Sequence, residues 1–334
     1  MLDDEENFVR LEAFEQMNHI FVDFHEDDLE SADVCRVFYD IYSESHADHC
    51  LKEVLDSMVT YAGKFMYKLG AKRLFSYKGS KGDSLAVRFF DFFRHVYESS
   101  KQETIKAVKT QEEIGKQIID PDLDQEEEEE LVPAKRLRGE QEAAAVDLEF
   151  SEDETRKKII LNLPVLTLMF LEPSCEEAKE ESFRFFKEHV LPFYAECCKD
   201  PSDYVRQFAA LVNHELFTLT AKHAPHSLHL LSPTFALLLK DKHVDVIGKL
   251  LKNIDLTVDI VDQQEESKDA DDFLQSLVTR WAKIHPIVQG KWRVLLEYLE
   301  KTEELLDMFD PSFISLKIVP ICQQCLTATQ AQPV

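Results

Sequence analysis

Across 334 residues the chain carries 64 acidic and 38 basic side chains, a formal charge of −26, with 44% hydrophobic residues and only 8 glycines. That acidity repels a phosphate backbone and argues against nucleic-acid binding, while it suits a partner with basic surface. So few glycines, against a usual ~7%, disfavour β-hairpins and Rossmann-type turns, which need positive φ. No apolar run approaches the ~20 residues that cross a bilayer.

The first residues, Met1 to Glu6, are acidic and lack the basic-then-apolar order of a secretory signal. The chain therefore reads as soluble and cytoplasmic, with the nucleus left open as a second compartment. Seven cysteines, at 35, 50, 175, 197, 198, 322 and 325, form no disulfide framework and read as reduced thiols.

From 1 to 116 the apolar residues recur at helical spacing. Phe14, Met17, Phe21 and Phe24 share one face; Val34, Val37, Phe38 and Ile41 make a second stripe. Leu51, Val54, Leu55, Met58, Ala62, Phe65, Met66 and Leu69 make a third, and Leu85, Phe89, Phe92, Phe93 and Val96 a fourth. Between the last two, Lys78 to Gly82 reads as a turn through its glycines. Residues 117–155 change character, with an acidic run from Glu126 to Glu130, the basic Lys135 to Arg138, and one aromatic residue, Phe150. Such a segment buries too little apolar surface to offset its ordering entropy and predicts a disordered acidic linker.

Residues 156–330 are more regular. A helix with Phe183, Phe186, Val190, Leu191 and Tyr194 ends near Asp200, and the next starts at Asp203 with Val205, Phe208, Val212, Leu216 and Leu219. A third opens with Ser232 as N-cap and Pro233 at the first helical position, ending near Asp241. A fourth carries Val244, Ile247, Leu251 and Ile254. Three more span Phe273–Ile284, Trp292–Phe309 and Phe313–Leu326. Asp200 and Val205 recur as Asp241 and Val246, 41 residues on, and Trp292-Arg293 opens the next paired helix about 46 residues later. Two-helix units of ~40–47 residues are the HEAT/armadillo period, and such units need neighbours to bury their faces. The fold expected is all-α: an N-terminal helical block, the linker, and a HEAT/armadillo-like α-solenoid.

The septet Asp200 to Arg206 carries the local chemistry of such a repeat. An aspartate there accepts from backbone N–H groups at the next helix start, and an arginine reaches the aspartate of a neighbouring repeat. The site residues read as structural are thus Asp200, Val205, Arg206, Asp241, Val246, Trp292 and Arg293, with Ile247 standing where the arginine would recur.

The stretch from about Leu161 to Thr327 resembles the protein phosphatase 4 regulatory subunit 1 family. The resemblance rests on Asn162-Leu163-Pro164, on Asp200 through Arg206, on His214-Glu215-Leu216, on Leu237 to Asp241, and on Trp292-Arg293, ending at Pro320. An acidic insertion ahead of the repeats also fits. The resemblance implies a HEAT-repeat regulatory or scaffold subunit that binds the phosphatase 4 catalytic subunit and its substrates. The family's arrays are longer, so the unpaired last helix predicts a truncated array. A different HEAT scaffold, such as a nuclear transport receptor for basic cargo, is the alternative.

No motif for catalysis, cofactor or metal binding emerges. Gly79 to Gly82 lacks the phosphate-loop pattern, and neither a serine nucleophile elbow nor a HExxH helix occurs. Cys322-Gln-Gln-Cys325 has no second pair at ligand spacing and reads as core thiols, as does Cys197-Cys198. His223, His226 and His229 read as loop histidines because Pro225 interrupts any helical face, and Asp48, among His46, His49 and Cys50, reads as a helix start. The expected partners are proteins alone: no nucleic acid, membrane or small molecule, and no cofactor.

Overall fold

A computed structural model describes residues 7–23, 29, 32–43, 47, 52–80, 82–116, 152–172, 176–263 and 268–329. These are helical almost throughout; an isolated antiparallel bridge, Lys78 to Ser84, is the β pairing among them. No described helix is long and apolar enough to cross a membrane. The chain divides into two compact units, Met1–Val165 with Pro173–Ala178, and Leu166–Glu172 with Lys179–Val334.

The first unit contains α1 (Asn7–Asp23), α2 (Ala32–Ile41), α3 (Lys52–Ser76), α4 (Leu85–Lys116) and the first part of α5, at 152–171. Its centre is aromatic: Phe21, Phe38 and Phe65 meet edge-on or tilted at 5.0–5.1 Å between ring centroids, and Tyr42 lies 4.2 Å from Phe89. Phe14, Phe92 and Phe93 complete this core. Such ring pairs add to the burial of 150–250 Å² per side chain. Tyr42 donates to the Met58 carbonyl, which satisfies its hydroxyl inside the core. In α2 the expected stripe is shifted: Val37 is exposed, and Cys35, Phe38, Tyr39 and Ile41 face inward instead. The helix turns its aromatic side toward α4, and the valine is left outside.

Residues 77–80 and 82–84 belong to the turn before α4. Gly82 has φ +84, and a Cβ on Gly79 would sit 1.9 Å from the Tyr39 ring. Ser84 then caps α4, its Oγ accepting from the Val87 N–H at 3.3 Å.

The linker expected at 117–155 is shorter at its C-terminal end. Residues 152–155 are helical and bonded into the first unit, whereas 117–151, with the acidic run and Lys135 to Arg138, lie outside the described residues, as do His46 and Asp48 to Cys50. The reason is a buried polar node. Arg156, fully buried, donates to Asp153 Oδ1 at 2.5 Å, to Thr104 at 2.8 Å and to Ser100 at 3.4 Å. Ser100 in turn donates to the Glu152 carbonyl, Lys52 pairs with Glu152, and Asp56 accepts from both Thr155 and Lys158. Composition marks 152–156 as acidic surface, but each charge has a specific partner, so the segment folds.

The second unit follows with α6 (Lys179–Phe185), a π-helical turn at Phe186–Val190, α7 (Leu191–Cys197), α8 (Asp203–His223), a 3-10 segment at Pro225–Leu231 and α9 (Ser232–Leu238). Then come α10 (Val244–Leu251), α11 (Ile254–Asp262), α12 (Lys268–Val288) and α13 (Trp292–Glu304). The unit closes with α14 (Pro311–Phe313), a second π turn at Ile314–Ile318, and α15 (Val319–Thr329). Several boundaries differ from expectation: the helix expected over Phe273–Ile284 spans Lys268–Val288, and that expected over Trp292–Phe309 ends at Glu304 before a 3-10 turn at Leu306–Met308. Ser232 is not an N-cap, because the 3-10 segment runs straight into α9 and Ser232 is already helical at φ −56, ψ −40. The helix expected from Val244 through Ile254 breaks at Asn253, φ −130, and restarts as α11.

Both π turns lie just ahead of a proline. Pro192 and Pro320 cannot donate, and their rings crowd the carbonyl four residues back. The widened turn relieves that crowding: Leu191 donates to Phe186 and Val319 to Ile314, each five residues back.

Packing within this unit follows two rows. Helices α7, α9 and α12 are successive neighbours; α8, α10 and α13 are successive neighbours; and each of the first row packs on the helix that follows it. Residues 190–199 and 231–240 bury the same positions in the same order, and 281–290 nearly so.

The Arg156 node yields a stability test. Removing one member of a buried ion pair strands the other, so R156M should lower the stability of the first unit by about 3–5 kcal/mol in urea denaturation. The double variant D153L/R156M should regain much of that loss, because no charge is then left buried.

Candidate functional site

The turns that join the two helical rows of the second unit carry most of the residues singled out from sequence. Ser202, His243 and Lys291, the residues preceding α8, α10 and α13, are all extended, with ψ of 124, 126 and 98. Each turn therefore enters its helix in the same way.

Asp200 is almost fully buried, and its Oδ1 accepts from the Ser202 N–H at 2.9 Å. Asp241 repeats the contact, accepting from the His243 N–H at 2.8 Å. In each turn the carboxylate folds back on the amide two residues ahead and so fixes the corner. Arg206 leaves the first turn of α8 and donates through Nε to Asp241 Oδ2 at 2.6 Å and through Nη2 to Oδ1 at 3.3 Å. Its Nη1 donates to the carbonyls of Asp200 and Pro201 at 2.7 and 3.1 Å. One guanidinium thus holds its own turn and the next. Burial raises the Asp241 pKa, but the hydrogen bonds from Arg206 and from the His243 N–H, with the charges of Arg206 and His243, outweigh it and hold the carboxyl below its ordinary value.

Val205 and Val246 are fully buried beneath these turns. Ile247, where the arginine would recur, is also fully buried. The next pair of turns is linked differently: Lys291 reaches Asp245 at 2.6 Å. The same relation holds one turn earlier, where His243 lies 3.5 Å from Asp203. In both cases an acid at a helix start faces the residue preceding the next helix. Asp203, Asp245, His243 and Lys291 were missed in the sequence, although the 42-residue step from Asp203 to Asp245 is visible there. Further along, Lys301 of α13 bridges to Asp255 of α11 at 2.8 Å, and Gly248 of α10 lets Val294 approach closely.

Trp292 and Arg293 differ from the other five. Trp292 is 68% exposed, with the Arg293 guanidinium 5.2 Å from its ring, and Arg293 is exposed too. They open α13 but do not pack the seam, so the structural role read for them is replaced by a surface one. One turn on, Leu296 is exposed on the same side. An indole and a guanidinium, stacked and solvent-facing, are the side chains that most often anchor protein interfaces.

Elsewhere the chemistry is sparse. No group of three or more His, Cys, Asp or Glu side chains among the described residues is arranged to hold a metal. Cys197 and Cys198 are buried, and burial pushes the Cys198 thiol up to about 12. Cys322 is exposed and Cys325 only half-buried, so that pair does not form the core thiols expected; among the described residues no helix lies over that face of α15 as α8 lies over α7. His223, the last residue of α8, is half-buried near Glu172, while His226 and His229 of the following 3-10 segment are exposed. An open pocket of ≈ 290 Å³ between α9 and α12 is walled by Phe235 and Phe273, with His229 and Asp269 at its rim.

Arg206 and Asp241 define a paired test. R206M should cost roughly 2–3 kcal/mol, the loss of charged hydrogen bonds to a largely buried partner. Because Asp241 titrates lower folded than unfolded, its contribution is complete above about pH 4, the unfolded carboxylate value, and disappears as pH falls through the lower folded value. Stability measured against pH should therefore show a steeper acid limb in the wild type than in D241N.

Comparison with protein-family models, with curated proteins and with solved structures finds no match to this chain.

Proposed function

We propose that the second unit is a HEAT-type solenoid array and that the chain is a non-catalytic regulatory or scaffold subunit of a phosphatase 4-like serine/threonine protein phosphatase. The observation that carries the array is the repeated burial register at 190–199 and 231–240, with the turns cross-linked by Arg206–Asp241 and Lys291–Asp245. Stacked units with this register present a continuous row of turns, a surface such arrays use to hold other proteins. The phosphatase assignment is supported by the family resemblance of 161–327, in which Asp200, Val205 and Arg206 stand in the repeat turn.

The mechanism is tethering. Trp292 and Arg293 supply an aromatic and charged anchor beside the turns, and the excess of acid elsewhere favours basic surface on the catalytic subunit or its substrates. Such a subunit works in the cytoplasm, with the nucleus left open, and performs no chemistry itself.

The test is binding of the full chain to purified phosphatase 4 catalytic subunit by calorimetry or surface plasmon resonance. W292A and R293E should each weaken binding 10-fold or more, about 1.4 kcal/mol, while thermal stability stays unchanged because both side chains are exposed. No binding at micromolar concentration overturns the phosphatase reading. Binding of a GTP-loaded transport GTPase instead would make the chain a transport receptor.

A further inference from the structure

The pocket between α9 and α12 has an apolar floor and a charged mouth. At its base Phe235 and Phe273 meet with ring centroids 4.6 Å apart, both nearly fully buried. Pro233 and Ala236 line the wall above them. The polar groups are few: the half-buried hydroxyls of Ser232 and Ser276, and exposed Asp269, Asp272 and His229. His229 comes from the 3-10 segment ahead of α9, and the two aspartates from the first turns of α12. His229 Nδ1 lies 3.9 Å from Asp269 Oδ2, so the two elements face each other across the opening. That separation is longer than a hydrogen bond and does not use up the acceptor capacity of Asp269.

A hollow of this make-up gains affinity from its apolar wall and selectivity from its few polar groups. Here the selection is for positive charge. Asp269 and Asp272 stand three residues apart, neighbours on one face of α12. The chain from 259 to 272 holds seven acidic residues against one lysine. Carboxylates at the lip of an apolar cleft draw a cation more strongly than the same charges on a flat surface. The volume, ≈ 290 Å³, sets the size. It lies at the small end of the range for ligand pockets and suits one long side chain better than a drug-sized body.

We infer that this pocket takes a basic side chain, arginine before lysine, from a partner protein. The methylene stem lies along Pro233, Ala236 and the ring edges, and the head stays at the mouth with Asp269 and Asp272, as long cationic side chains commonly bury their stems and keep their charge near water. Arginine fits better because its planar fork donates to two carboxylates at once, whereas an ammonium is a point charge. That the cation belongs to a protein rests on the scaffold reading above; the preference of the pocket for a cation does not.

The test uses the full chain and the peptide acetyl-Gly-Gly-Arg-Gly-Gly-amide, followed by saturation-transfer NMR and calorimetry. The control peptide carries citrulline, which keeps the shape of the arginine and loses its charge. Saturable binding of the arginine peptide near about 1 mM, with the citrulline peptide 10-fold or more weaker, supports the pocket. D269N/D272N should weaken binding 10-fold or more while the melting temperature holds, since both carboxylates are exposed. S276L, which fills the hollow without removing a charge, should abolish it. Equal binding of the two peptides overturns the proposal, as does binding that survives both variants, which places the arginine elsewhere on the acidic surface. Tighter binding of free propylguanidinium than of the peptide overturns the assignment to a protein. None of these outcomes touches the phosphatase reading, which stands or falls on Trp292 and Arg293.

Discussion

Arg206 joins two corners of the second unit with one planar group. Its fork meets both oxygens of Asp241 while another nitrogen closes on the carbonyls of Asp200 and Pro201. Lysine could not do this, because a point charge has no geometry to share between a carboxylate and two carbonyls. Once the two turns are tied, the helices entering them start from the same backbone direction, and the fully buried valines beneath, Val205 and Val246, fall into register. Where Ile247 replaces the arginine, the link between corners passes to the exposed pair Lys291–Asp245, which is worth less because water and salt screen it. The row of turns is therefore held most firmly at its Arg206 end.

The first unit solves a different problem with the same side chain. Its core is aromatic and needs no polar help, yet α5 enters it from a stretch dense in acid. Arg156 makes the entry possible by gathering Asp153, Thr104 and Ser100 around one buried guanidinium. The pair does not add much stability over a hydrophobic equivalent. Its effect is on placement: the start of α5 has one position at which its charges are all met.

Much of the all-helical architecture was legible in the sequence. Scarce glycine disfavoured the turns that sheets require, and stripes such as Leu85, Phe89, Phe92, Phe93 and Val96 gave the buried face of α4 directly. The septet Asp200 to Arg206 could be read because each of its contacts is local or recurs one period later. Other features could not be read. Asp203, His243, Asp245 and Lys291 pair across turns, and sequence spacing shows that two acids recur without showing what faces them. The start of α5 was hidden because composition averages over residues, while Arg156 acts through a specific set of partners. Trp292 was misplaced for a related reason: its position at a helix start resembles a seam residue, and only the packing of α13 shows the ring turned outward.

That outward turn separates two uses of the same edge. Asp200, Arg206 and Asp241 are consumed by the fold, since each already has its hydrogen-bond partners within the unit. A partner protein gains little from groups already satisfied. The Arg293 guanidinium lies over the Trp292 ring, and the apolar area of both side chains is still in water. Burying that area is where binding energy remains to be gained, so the turns that build the edge and the residues able to grip with it are different sets. The repeat signature in the sequence marks the first set, and the second becomes visible only as a departure from it.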